Sequence, residues 1–186
     1  MSRKPFKKSK VFVLQPDVTY GSILVNKLTK LMMKDGKYTV SYRIVCQSIE
    51  AAFERYLRDQ KITLDKDSQR NDMILEMVDK VMSNVMPKTE VKTQRFGGAN
   101  YQVPIPVSRT RQVTLGLRNL VMSARSRGMK TMVDNLASEM TDALKGMGGA
   151  VRKMKEMHSM ANANKVYANM VRKPAGERSG QEESAR

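Results

Sequence analysis

Apolar residues recur at helical spacing over most of this chain, and one stretch near its middle changes to strict alternation. From Ser22, a candidate N-cap, Leu24, Val25, Leu28, Leu31 and Met32 mark a first helix that Asp35-Gly36 stops. A second helix is expected over about residues 40–60, with Val45, Ile49, Ala52, Phe53 and Tyr56 on one face. Residues 61–70 read as a polar loop. Asn71 is placed to cap a third helix carrying Met73, Ile74, Met77, Val78, Val81, Met82 and Val85, which Pro87 ends.

Over residues 90–107 the period falls to two: Tyr101, Val103, Ile105 and Val107 alternate with Gln102, Pro104 and Pro106. That is a strand pattern, and its prolines require an edge. Residues 90–96 can pair with it across Gly97-Gly98-Ala99-Asn100, giving one exposed hairpin. Because two strands alone are marginal in water, this hairpin must lean on helices or on a partner. Helical periodicity resumes at about Ser108 and runs to about Val171, with breaks near Gly128 and over residues 146–149. Its cleanest amphipathic face is Met129, Met132, Val133, Leu136, Ala137, Met140, Ala143 and Leu144. The expected organisation is a basic N-terminal arm over residues 1–15, one mainly α-helical domain over 16–171 and a disordered tail over 172–186.

Charge changes this from a fold to a binding problem. The chain has 34 Lys and Arg against 18 Asp and Glu, a formal charge of +16 in 186 residues, which calls for a polyanionic partner. Nucleic acid is the leading candidate. An anionic membrane fits less well, since no run of 18 apolar residues exists and no helix pairs a broad apolar face with a wholly basic one. The basic first ten residues lack an apolar segment that would make them a secretory signal. Transit-peptide composition is present but short, and an arm is the expected reading.

With one cysteine, Cys46, and one histidine, His158, the chain can form neither an internal disulfide nor a Cys/His zinc site, and a reducing compartment fits. No Ser/His/Asp or paired-carboxylate motif is recognisable, so no catalytic residue, metal, cofactor or small-molecule substrate is assigned, and a structural role is expected for His158. The 16 methionines fall mostly on apolar helix faces, where unbranched side chains fill gaps.

The charge is unevenly distributed. Residues 50–80 hold eight acids and six bases, whereas 88–130 hold nine bases and a single acid, Glu90. At 100° per residue, Arg111, Arg118 and Arg125 form one stripe roughly opposite Val113, Leu117, Leu120, Val121 and Ala124. Such a helix can bury one side and offer guanidinium groups to phosphates with the other. No acid lies between Ser108 and Arg127 to compensate the stripe. Arg3, Lys4, Lys7, Lys8 and Lys10 make the arm a second phosphate-binding candidate, one that does not separate RNA from DNA.

The hairpin sequence E-V-K-T-Q-R-F-G-G-A-N-Y-Q-V-P, residues 90–104, resembles the signature of the small-subunit ribosomal protein seven family. The likeness extends over Pro16-Asp17, Tyr20, Leu31-Met32, Asp35-Gly36-Lys37 and Asn84-Val85-Met86-Pro87. It continues through Leu117-Arg118, Ala124-Arg125, Arg127, Lys130-Thr131-Met132, Leu136-Ala137, Glu139 and Asp142-Ala143. Gly149-Ala150-Val151, Lys153, His158, Met160-Ala161 and Ala163-Asn164-Lys165 complete it. The chain departs from the family pattern in the spacing between Leu57 and Asn71, at Thr93-Gln94, at Asn119 and after Ala168.

The resemblance implies a mainly α single domain of about six helices, with a protruding two-stranded β-hairpin between the third and fourth. It implies a non-enzymatic structural constituent of the small ribosomal subunit, in a cytoplasmic or organellar ribosome, that binds small-subunit rRNA first and nucleates assembly of the head. It further implies nearness to exit-site tRNA, to the mRNA exit path and to small-subunit ribosomal proteins nine and eleven. Carried over by position, Lys34, Lys37, Lys92, Arg95, Arg109, Arg111, Arg118, Arg125 and Arg127, with the arm, become rRNA-binding candidates. Gly97, Gly98, Ala99, Asn100 and Tyr101, with Arg152 and Lys153 on the last helix, become tRNA-facing candidates. Tyr101 can stack on a base or serve as core. The competing reading from charge alone is a DNA-binding architectural or regulatory protein, with the arginine helix in a major groove or the hairpin in a minor one.

Overall fold

The computed structural model describes residues 15–61 and 67–170. Near the start of the described residues, the buried carboxylate of Asp17 accepts the Thr19 and Tyr20 backbone N–H groups at 3.1 and 2.9 Å. This local turn aims the chain into α1 (Ile23–Met32). Ser22 has the extended backbone of an N-cap, but its side chain makes no capping bond, and its carbonyl instead accepts from Asp17 and Asn26. Next come α2 (Tyr38–Gln60) and α3 (Asp67–Val85). The third helix therefore starts ahead of Asn71, which lies exposed inside it rather than capping it. Apolar spacing misses this first turn because it is polar. Tertiary packing helps hold it, with the Arg70 guanidinium 5.9 Å from the Phe53 ring centroid.

Strands β1 (Thr89–Phe96) and β2 (Ala99–Pro106) form the only sheet among the described residues, an antiparallel pair. Its turn is the two residues Gly97 and Gly98, with φ of 55° and 89°, as a tight hairpin with two left-handed positions requires. Ala99 and Asn100, expected in the turn, belong to β2 and face Phe96 and Arg95 across the ladder. Pro104 and Pro106 lie opposite Val91 and Thr89. A two-stranded ribbon has only edge strands, so proline, with no N–H to donate, is tolerated there.

The second half holds α4 (Arg109–Ser126), α5 (Met132–Leu144), α6 (Gly148–Ala163) and a 3₁₀ segment (Lys165–Met170). Among the described residues the architecture is mainly helical, with six helices and the hairpin between α3 and α4, as the family resemblance implies. Helix α5 is central and packs on α2, α3, α4 and α6. Leu136, Ala137 and Met140 are buried there against Phe53, Ile74 and Leu120 in one core. Met129, expected on the apolar face of α5, precedes that helix and is 49 % exposed. Met32, Met77, Met82 and Met140 fill the core, while Met122, Met147 and Met160 remain on the surface.

One polar network joins the end of α4 and the start of α6 through the second half of α5. Glu139, 1 % exposed, accepts the Ala150 N–H at 2.7 Å through Oε1 and Arg127 Nε at 2.6 Å through Oε2. Arg127 also donates to Asp142. The carboxylate meets the first turn of α6, where backbone N–H groups lack intrahelical partners, and so satisfies one while facing the positive end of the helix.

Candidate nucleic-acid interface

Arg111, Arg118 and Arg125 are all exposed, and their helix buries Leu117, Leu120, Val121 and Ala124 on its other side. Fourteen residues of helix separate the first from the last, about 21 Å. The stripe is tied down at both ends. Arg111 Nε donates to Glu90 Oε1 and Oε2 at 2.8 and 2.9 Å, fastening α4 to the start of β1. Thus the stripe does have one compensating ion pair, from the single acid that precedes it in the basic segment. Arg125 Nη2 donates to the Met32 carbonyl at 2.9 Å, fastening α4 to the end of α1. Arg118, between them, makes no hydrogen bond or ion pair among the described residues. Arg109 sits about 160° around the helix from Arg111, exposed in the first turn but off the stripe.

Strand alternation divides the hairpin cations. Lys92 shares a face with Gln94, Phe96, Tyr101 and Val103, whereas Arg95 shares the other with Thr93, Asn100 and Gln102. The first face leans inward: Val103 is fully buried, and the hairpin packs on α6 and on the 3₁₀ segment. The second face is exposed at Thr93, Arg95, Asn100 and Gln102. Lys92 is exposed at the margin of the inward face, so the two cations grouped by sequence point to different sides.

Tyr101 is half-buried and packs within the protein. Its ring centroid lies 6.3 Å from Phe96 and 5.4 Å from Tyr167, so it joins the hairpin to the 3₁₀ segment. His158 has a structural role of the kind expected: the Lys88 N–H donates to its Nε2 at 2.8 Å, pinning the hairpin base to α6. Tyr167 was not singled out by apolar spacing, since an isolated aromatic after a helix carries no periodic signal.

The remaining candidates separate by environment. Lys34 and Lys37, in the α1–α2 connection, meet Arg125 at the rim of one surface cleft. Arg127, expected to face RNA, is turned toward Glu139 and Asp142. Burial alone would lower its pKa, but those two carboxylates outweigh burial and raise it, so its charge is fixed inside the fold. Arg152 is exposed and lies 3.9 Å from Glu156, and Lys153 is half-buried. Both are in the first turns of α6, whereas the hairpin is met by Tyr167 beyond that helix's far end, so the fold does not gather these two at the hairpin tip. Arg3, Lys4, Lys7, Lys8 and Lys10 lie outside the described residues.

Chemistry is sparse elsewhere. Among the described residues no group of His, Cys, Asp and Glu could hold a metal, and no helix is long and apolar enough to cross a membrane. Burial pushes the Cys46 thiol pKa up, away from the thiolate a nucleophile needs. What the surface offers is a line of guanidinium groups from the hairpin base to a basic cleft.

The family model for ribosomal protein S7p/S5e matches residues 2–165, which takes in the hairpin, the arginine stripe and the cleft. The chain therefore belongs to the ribosomal protein S7p/S5e family, structural proteins of the small ribosomal subunit that bind its rRNA.

Proposed function

We propose that this chain is a primary binder of small-subunit rRNA that nucleates assembly of the subunit's head. The observation that carries the reading is the α4 stripe. Arg118 is exposed and unpartnered among the described residues, between Arg111 at the hairpin base and Arg125 at the cleft, on a helix without a single acid. Guanidinium groups on a rigid helix bind phosphates by position and need no chemical turnover. Lys34, Lys37, Lys92, Arg95 and Arg109 extend the cationic surface to either side.

The hairpin tip and the last helix face exit-site tRNA near the mRNA exit path, with small-subunit ribosomal proteins nine and eleven as neighbours. This part rests on the family resemblance and on the exposure of Gly97, Gly98, Ala99 and Asn100 at the end of the ribbon. The rigid fastening of the hairpin through Tyr101, Tyr167 and His158 suits an element that must hold its tip at a fixed point. Contact by Arg152 and Lys153 would be made from the other end of α6.

The test is binding of the full chain to a head-domain fragment of small-subunit rRNA, with an unrelated RNA duplex and a DNA duplex as competitors. Retention of the rRNA fragment at moderate salt, with a steep loss of affinity as salt rises, is the expected result. Preferential retention of DNA, or absence of the chain from small subunits in a sedimentation gradient, would overturn the reading.

A further inference from the structure

The cleft that gathers Lys34, Lys37 and Arg125 has a second property that phosphate binding alone does not use. Its floor is apolar, formed by Val40 and Ile44 of α2 and Met132 of α5, and its volume is about 300 Å³. That is the lower end of the range for sites that enclose a small ligand, too small for a duplex and suited to one flat ring. Val40, in the first turn of α2, is 55 % exposed there. Lys34 and Lys37 carry no ion pair among the described residues. Arg125 spends one Nη on the Met32 carbonyl, which holds its guanidinium in place at the rim and leaves further N–H donors.

We infer that this cleft receives one unstacked nucleotide of the bound rRNA, its base on the Val40–Ile44–Met132 floor and its flanking phosphates on Lys34, Lys37 and Arg125. A nucleotide joins a flat apolar ring to an anion within one residue's reach, and the cleft presents the matching pair of surfaces. Arg125 also ends the α4 stripe, so a strand tracked along Arg111 and Arg118 arrives at this opening. Sequence-specific RNA recognition commonly splays out single bases in this way. The inference rests on the rRNA-binding reading above and adds a base-recognising site to it.

The test uses the full chain with the head-domain rRNA fragment, read by a base-reactive chemical probe and by equilibrium binding. Wild type is expected to protect one unpaired base that Val40→Ser leaves reactive, with about five-fold weaker binding, the low end for loss of one stacked base, and an unchanged salt slope. Lys34→Ala and Lys37→Ala are each expected to lower the salt slope by about 0.7–0.9. A photocrosslinking side chain in place of Val40 is expected to join that same nucleotide. Unchanged base protection and affinity in Val40→Ser, while wild type binds the fragment tightly, would overturn the cleft inference and leave the rRNA reading standing. A crosslink from position 40 to protein, whether a neighbour in the reconstituted subunit or this chain's own C-terminal residues, would also overturn it. Failure of wild type to bind the fragment would remove both.

Discussion

The backbone N–H of Lys88 donates to Nε2 of His158 across 2.8 Å, and this bond fixes where the hairpin leaves the helical body. It needs the imidazole Nε2 without a proton, so the ring accepts there and carries any proton on Nδ1.

His158→Ala removes the acceptor and is expected to cost about 1 kcal/mol. The loss should be local. Amide exchange is expected to accelerate at Lys88 and along β1 while the helical core is unchanged. His158→Gln, which can still accept, should recover part of the protection. Equal exchange rates in wild type and His158→Ala would show that the aromatic contact of Tyr101 with Tyr167 anchors the hairpin by itself.

Arg118 and Arg111 differ in what they hold. Arg118→Ala is expected to leave the unfolding free energy from urea titration within about 0.5 kcal/mol of wild type, as an exposed substitution without a protein partner should. It should also lower the salt slope of rRNA binding by about 0.7–0.9. Arg111→Ala removes a cation and also frees Glu90, which is 13 % exposed, so it should additionally loosen the hairpin base. A salt titration of both variants with matched denaturation curves checks the difference.

Glu139 carries a structural load out of proportion to its single charge. Glu139→Ala leaves Arg127 with Asp142 alone and the buried Ala150 N–H without an acceptor, and is expected to destabilise by about 2–3 kcal/mol. Glu139→Gln, which keeps an acceptor for Ala150, should cost less. Urea unfolding measures both, and a loss below about 1 kcal/mol in Glu139→Ala would contradict the network.

Tyr20 is buried, and its hydroxyl has no hydrogen-bond partner among the described residues. Tyr20→Phe is therefore expected to stabilise by about 1 kcal/mol, since an unsatisfied buried hydroxyl is removed without changing shape. Burial, with Glu50 adding to it, raises the Tyr20 pKa. A raised folded-state pKa means that the unfolded chain loses the proton first. The stability linked to this group is full below the ordinary tyrosine value of about 10 and declines as pH rises beyond it. Thermal melts from pH 8 to 11 should show a smaller alkaline decline in Tyr20→Phe than in wild type.

Helices and hairpin were legible because each has a local cause. Period 3.6 marks Val45, Ile49 and Phe53, and period two with a glycine pair marks the ribbon around Gly97 and Gly98. Boundaries were less legible where a turn is polar, as at the start of α3, or where a glycine pair suffices and Ala99 and Asn100 pass into the strand. Met129 fits the period of α5 but not its bounds, because periodicity continues past a helix end that the Thr131 cap decides, its side chain accepting from Asp134 N–H.

The sequence by itself determined the class of partner, since a charge of +16 and the absence of acids on α4 depend on composition and order alone. It also determined the stripe, because helical geometry converts a spacing of seven into one face. What only tertiary structure decided is which cations remain available. Arg127 and Arg118 look alike in sequence, yet Glu139 and Asp142 from another helix take up the first, and no described residue takes up the second. Lys34, Lys37 and Arg125 are far apart along the chain and form one rim only because α1 and α4 pack together. Local periodicity fixes the direction of a side chain around its own helix, and the packing of helices fixes what that side chain meets.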